Sequence, residues 1–202
     1  MPEQGRRRGR PRDAGISERA LGAARELLVE QGFEATTIQA VAERSGVHAS
    51  AIYRRWPSRI ELIHEATFPG LGTPSLAPTG ELAHDLLAFV RAYLDVLGAP
   101  AARAAAAGLL AHRQASPEFD PSEFYLRVST RPKLRDILDA APPSAVDPDV
   151  DPDDVFDMLL GAVLCHGLLP DIARRPHPAE RITDMLVRIL RPLPDAPGRE
   201  GR

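Results

Sequence analysis

The stretch Thr36 to Leu62, TTIQAVAERSGVHASAIYRRWPSRIEL, constrains the fold more than any other part of this chain. Thr36 or Thr37 opens a short helical pattern with Ile38, Val41 and Ala42 on one face. Gln39 makes Thr36-x-x-Gln a capping-box candidate. Ser45-Gly46 then supplies a sharp turn, with Gly46 suited to positive φ. A second pattern follows, with Val47, Ile52 and Trp56 inward and Tyr53, Arg54 and Arg55 at a basic end. Two short helices at a glycine turn make a helix-turn-helix. An apolar repeat of helical spacing precedes it: Ala20, Leu21, Ala24, Leu27 and Leu28. Ser17 is its predicted N-cap. Gly32 ends it near Glu30, and Phe33 closes a small core. Pro57-Ser58 starts a fourth helix with Ile60, Leu62 and Ile63 on its apolar side.

Net charge is −3, which alone argues against nucleic acid. The distribution reverses that impression. Residues 1–66 hold 11 arginines against 9 acids, and residues 67–202 hold 14 bases against 19 acids. Five arginines and one acid fall within residues 1–12. A basic amino end on an acidic remainder suits a local DNA contact. Residues 1–15, rich in Gly, Pro and Arg, read as a disordered arm.

The segment 69–80, PGLGTPSLAPTG, reads as a linker. Beyond it, Leu82, Leu86, Phe89, Val90, Tyr93 and Leu97 form one helical stripe. Further helical patterns span about Ala101–Gln114, Ser122–Ala140 (with Pro132 expected to kink or split it), Asp153–Leu169 and Pro178–Leu190. The pattern over Asp153–Leu169 is apolar nearly all round, so it is expected to be covered on more than one side. No strand alternation occurs. The reading is all-α: an arm over 1–15, a helix-turn-helix domain over 16–66, a helical ligand-binding and dimerisation domain over 80–192, and a disordered tail over 193–202. The last two helices are expected to pair across a two-fold axis, and Ile182→Asp with Leu186→Asp is expected to give monomers if that face lies at the interface. A single cysteine, Cys165, excludes an intrachain disulfide. With no leader and no membrane-length apolar run, it points to the cytoplasm.

The ordered positions Thr37, Ala42, Gly46-Val47, Ile52-Tyr53-Arg54-Arg55-Trp56-Pro57-Ser58-Arg59 and Leu62 resemble the amino-terminal domain of the TetR family of bacterial transcriptional regulators. The resemblance implies an all-helical homodimer whose second domain binds an effector that releases DNA. By position it implies that Thr37 and Gln39 meet phosphate. It places Ala49, Ser50, Ala51, Tyr53, Arg54 and Arg55 on the recognition helix toward the groove or its phosphates. Arg59 stands where a lysine usually approaches phosphate. His48 replaces the usual small or acidic cap and is assigned to DNA instead. Arg8-Gly9-Arg10-Pro11 resembles the core of an AT-hook, so Arg8 and Arg10 are assigned to a narrow minor groove; the alternative is a solvated basic tail.

Chemistry-bearing clusters are otherwise sparse. The acidic run Asp147–Asp154 lacks the glycine and distal glutamate of a calcium loop. It reads as a loop whose Asp151 caps a helix. His64-Glu65 lacks the second histidine of a zinc-protease helix, since residue 68 is Phe. Cys165 and His166, adjacent on a helix, point about 100° apart. No catalytic residue, metal site or cofactor is assigned, and an enzyme finds no support. Phe89, Tyr93, His112, Phe124 and His166 supply the apolar walls and polar handles of a small-molecule pocket. Any one of them serves equally well as plain core. The expected function is a DNA-binding regulator, a repressor released by a largely apolar ligand and bound to a palindromic operator. The alternative is an architectural or constitutive DNA-binding protein without an effector.

Overall fold

A computed structural model describes residues 12–68, 77–115, 130–169, 171, 173 and 175–192. The described residues are helical throughout their regular structure, without strand. The helices are α1 (Arg12–Ala35), α2 (Ile38–Ser45), α3 (Ala49–Tyr53), α4 (Arg59–Thr67), α5 (Leu82–Gly98), α6 (Pro100–Ala115), α7 (Arg131–Ala140), α8 (Pro152–Leu168) and α9 (Pro178–Leu190). They divide into two compact units: residues 1–67 with 104–112, and residues 68–103 with 113–202.

The first unit packs α1 against α2 and α4, and α2 against α3. Ala20, Ala23, Ala24 and Leu27 of α1 meet Ile38, Val41, Val47, Ile52, Trp56 and Leu62 in its core. Small residues on α1 let the neighbouring backbones come close, so a little apolar surface suffices. Helix α1 starts at Arg12, five residues before the expected cap, and Ser17 lies inside it. Its C-terminal part breaks at Gly32, where φ is 81°. Phe33, expected to close the core, is half-buried, and the Arg59 guanidinium lies over its ring at 4.4 Å. Gly108 also approaches this ring, because a Cβ there would lie 2.2 Å from Phe33.

The second unit buries a larger core. The expected stripe of α5, Leu82 through Leu97, is buried with Leu134 and Ile137 of α7, Val155, Phe156, Leu159 and Val163 of α8, and Ile182, Leu186 and Leu190 of α9. Before α5 the chain folds back onto the buried Asp85. That carboxylate accepts from Thr79 N–H (2.9 Å), Thr79 hydroxyl (2.8 Å) and Gly80 N–H (3.0 Å). Three donors offset its desolvation. Pro132 stands at the start of α7 instead of kinking it, and residues 122–129 lie outside the described set. Asp151 caps α8 as expected, accepting from Asp153 N–H at 2.9 Å. Ile182 and Leu186, interface residues only on the condition that their face is the paired one, are 5% and 3% exposed within the unit's own core. They are needed there because α9 has only one strongly apolar face. Among the described residues of this unit, the large apolar side chains left exposed are Met158, Leu169, Met185 and Ile189. No single helix among the described residues is long and apolar enough to cross a membrane.

Candidate nucleic-acid interface

The interface is built on a turn. Gly46 takes φ 65°, ψ 20°, the left-handed conformation that ends α2. The Ser45 hydroxyl accepts from Val47 N–H at 3.2 Å and so braces the exit. Thr37, not Thr36, caps α2: its Oγ1 accepts from Ala40 N–H at 3.1 Å. Thr36 is buried and donates its hydroxyl to the Gly32 carbonyl at 2.8 Å, which closes the break in α1. The expected capping box is therefore absent, and Gln39 instead donates to Glu43 Oε1 at 2.9 Å. Thr37 and Gln39 both remain exposed.

Recognition helix α3 is only five residues long and cannot stabilise itself. Tertiary anchors hold it on both sides. Ile52 is fully buried and Ala51 is 9% exposed, so the Ala51 methyl belongs to the core. Trp56, buried just beyond, donates its indole N–H to Glu65 at 2.7 Å. His48 occupies the N-cap without a side-chain cap bond and is exposed. Ser50 and Arg54 are exposed, Ala49 is half-buried, and Tyr53 is 54% exposed. A phenol so exposed beside Arg54 presents an amphipathic edge of the kind that meets sugar and phosphate.

Two arginines are placed less simply. Arg55 Nε donates to the Ser17 hydroxyl of α1 at 2.9 Å. Arg59 lies over Phe33, donates to the Phe33 carbonyl and faces Glu34 at 3.6 Å. The break at Gly32 supplies the reason, since it leaves helix-end carbonyls in need of donors. To reach phosphate, Arg59 has to leave these contacts. Arg8 and Arg10 lie outside the described residues.

Several framework contacts escaped the sequence reading. Arg44 bridges α2 to Glu30 (2.8 Å) and Glu26 (3.4 Å) of α1. Its hydrogen bond holds the Glu30 carboxyl below the usual carboxylate range. Glu26 and Glu30, four apart on the exposed side of α1, were the available signal. Ser58 caps α4 by accepting from Glu61 N–H at 3.1 Å. Ser-x-x-Glu at 58–61 is a capping-box spacing that the sequence shows. The Ser17–Arg55 bond spans 38 positions and leaves no local trace.

Of the residues assigned to a ligand, Phe89 and Tyr93 pack against each other. Phe89 and Tyr93 are 0% and 4% exposed in the core of the second unit. Their rings lie 5.1 Å apart, and Phe156 meets Tyr93 edge-on at 6.3 Å. Burial pushes the Tyr93 phenol above its ordinary range. His166 is half-buried on α8, and His112 is exposed on the part of α6 that groups with the first unit. Phe124 lies outside the described residues.

Comparison with known proteins bears on both units. Residues 14–66 match the family described as bacterial regulatory proteins, tetR family. Residues 76–186 match the tetracyclin repressor-like C-terminal domain. An uncharacterized HTH-type transcriptional regulator of Bacillus subtilis is 42% identical over 60 residues, 30% of this chain and 30% of that protein. One from Mycobacterium tuberculosis is 38% identical over 68 residues, 33% of this chain and 34% of its own length. These curated relatives are thus matched over about a third of their length. A TetR transcriptional regulator from Streptomyces coelicolor superposes with a TM-score of 0.52 and 26% identity, over 87% of this chain and 98% of that one. One from Agrobacterium tumefaciens gives 0.57 at 20% identity, over 88% and 92%, and shares the fold.

Proposed function

The chain belongs to the TetR family of helix-turn-helix transcriptional regulators, and from that membership we propose that it is a homodimeric repressor that leaves a palindromic operator when a small molecule binds its second unit. The observation that carries the DNA reading is the exposed set Thr37, Gln39, His48, Ser50, Tyr53 and Arg54 around a turn whose other face is buried. A helix end of this kind fits the major groove, with phosphate contacts fixing its register. Two recognition helices about one DNA turn apart, ~34–36 Å, read a palindrome. Met158, Leu169, Met185 and Ile189 supply the apolar surface that supports pairing of two copies through α8 and α9.

The arm adds a minor-groove contact through Arg8 and Arg10. Helix α1 starts at Arg12, and its Ser17 accepts from Arg55 just beyond α3, which supports a DNA contact for the residues that precede α1. The effector is largely apolar and meets Phe89, Tyr93, His112, Phe124 and His166. Its release of DNA requires that it favour a dimer whose recognition helices no longer match the groove. Constitutive DNA binding without an effector is the second reading. The core packing of Phe89 and Tyr93 favours it.

Selection of duplexes from a random-sequence pool by the purified protein tests the proposal. Enrichment of one palindrome is expected, and Tyr53→Ala or Arg54→Ala weakens binding to it by ~1–3 kcal/mol for a base contact. Retention of all duplexes alike leaves the architectural reading. No small molecule releasing the selected duplex, across an apolar library, leaves the constitutive one.

A further inference from the structure

The two flanks of the helix-turn-helix meet at one side chain. Arg59, the first residue of α4, donates from Nη2 to the Phe33 carbonyl across 26 positions, and α2, the turn and α3 all lie between those two residues. Its guanidinium lies over the Phe33 ring at 4.4 Å, and Nη1 faces Glu34 at 3.6 Å. Its Nε is buried and lacks an acceptor, so that edge is closed to a phosphate. We propose that Arg59 is a positioning residue for DNA binding and not a phosphate contact: it clamps the start of α4 to the α1–α2 corner and so sets where α2 begins. This rests on the DNA-binding reading and goes beyond it, because the family pattern sends this position to phosphate.

The corner it holds is built on the break in α1, where Gly32 takes φ 81°. The Phe33 carbonyl at this break accepts from Thr36 N–H at 3.2 Å as well as from Arg59. The Thr36 hydroxyl returns to the Gly32 carbonyl at 2.8 Å, and Thr37 beside it caps α2. A displaced Phe33 therefore displaces Thr37 and Gln39, the exposed pair at the start of α2. The ring is a firm platform, because Gly108 comes so close that a Cβ there would lie 2.2 Å from it. The ion pair is the minor part of the clamp, since the Glu34 side chain is 89% exposed. What the clamp uses is the planar fork of arginine, which stacks on a ring and donates to a carbonyl at once. A lysine ammonium suffices for phosphate but does not reproduce that geometry.

The experiment reads affinity by fluorescence anisotropy on the full chain, with a labelled duplex that the wild type enriches from a random-sequence pool. It is run at a temperature where the fluorescence of Trp56, the single tryptophan, shows the variants folded. Arg59→Met is expected to weaken binding about threefold to tenfold, the effect of one or two oriented contacts. Arg59→Lys, which keeps the charge, is expected to weaken it as much. In a Phe33→Leu background, Arg59→Met is expected to cost less than it does in the wild type. Wild-type affinity in Arg59→Lys returns the residue to phosphate and overturns the proposal, whether or not Arg59→Met folds. Unchanged affinity in Arg59→Met, with only a lower melting temperature, leaves a purely structural residue and also overturns it. So does an undiminished loss in the Phe33→Leu background. A wild type that enriches and retains no duplex overturns the DNA-binding reading itself.

Discussion

Beside the turn of the first unit, one large ring is exposed, Tyr53, on a helix whose Ala51 and Ile52 are buried. On α8 and α9 of the second unit, Met158, Leu169, Met185 and Ile189 are exposed around a core that is already filled. The first unit fixes its short helices with polar devices: the Thr37 and Ser58 caps, the Arg44 bridge and the Trp56–Glu65 bond. The second fixes long helices with apolar area, and Gly167 lets α8 approach α5, where a Cβ would meet Leu97 at 2.7 Å. A surface meant for water and phosphate has to be rigid without being apolar. A surface meant for a protein partner can keep spare apolar side chains.

The largest effect separates core from spare surface within α9. Leu186→Asp puts a charge at a 3% exposed position and is expected to destabilise the second unit by more than about 3 kcal/mol. Met185→Asp with Ile189→Asp touches positions 61% and 38% exposed and leaves the unit folded. Sedimentation of that pair as monomers, beside a dimeric wild type, is the expected result. A wild type that sediments as a monomer, or a paired variant that stays dimeric, breaks the contrast.

The two units also differ in their buried titratable groups. Burial pushes His64 of α4 from 6.5 down to about 4. The unfolded chain therefore binds more protons between these values. The contribution is fully present above pH 6.5 and falls by about 2–3 kcal/mol as the pH drops toward 4. Tyr93 of the second unit is raised by burial, so its contribution is present below pH 10 and falls as the pH rises beyond it. The single tryptophan, Trp56, lies in the first unit and reports it alone. Urea unfolding followed by Trp56 is expected to weaken from pH 6.5 to 4, and His64→Leu flattens that limb. An acid limb of equal depth in His64→Leu would place its origin in other groups.

The contrast explains what the sequence made legible. Helix faces were plain wherever spacing decided them: the α5 stripe from Leu82 to Leu97 and the inward set Ile38, Val41, Val47, Ile52 and Trp56 are buried. The glycine turn at 46 was plain because only backbone conformation was at stake. What stayed hidden depends on partners distant in sequence. Ser17 has the composition of a cap, and only the approach of Arg55 reveals another use. Arg59 has the position of a phosphate contact, yet the break at Gly32 offers it the Phe33 carbonyl. Aromatic residues on α5 suit a pocket as well as a core, and periodicity does not distinguish the two; Phe89 and Tyr93 pack against each other, and Phe156 of α8 meets Tyr93 edge-on. Ile182 and Leu186, interface residues only on the condition that their face is the paired one, lie in the unit's own core for a related reason. Moderate apolarity on a helix marks a buried face without saying which chain buries it.

The smallest expected effect is the most discriminating between the units, because it sets two similar caps against each other. Thr37 accepts from Ala40 N–H at the start of α2, and Asp151 accepts from Asp153 N–H at the start of α8. Each supplies one acceptor to an otherwise orphaned donor, so replacement of either by Ala costs about 1 kcal/mol of stability. Their surroundings differ. Thr37 is exposed beside the α2–α3 turn, within the proposed DNA face, whereas Asp151 stands in an acidic loop of the other unit. Thr37→Ala is therefore expected to weaken duplex binding as well as stability, with a lower salt slope if its backbone or hydroxyl meets phosphate. Asp151→Ala is expected to lower stability alone. Matched melting curves with unequal anisotropy titrations are the predicted outcome. Equal duplex affinity in the two variants would show that the cap of α2 serves the fold and not the DNA.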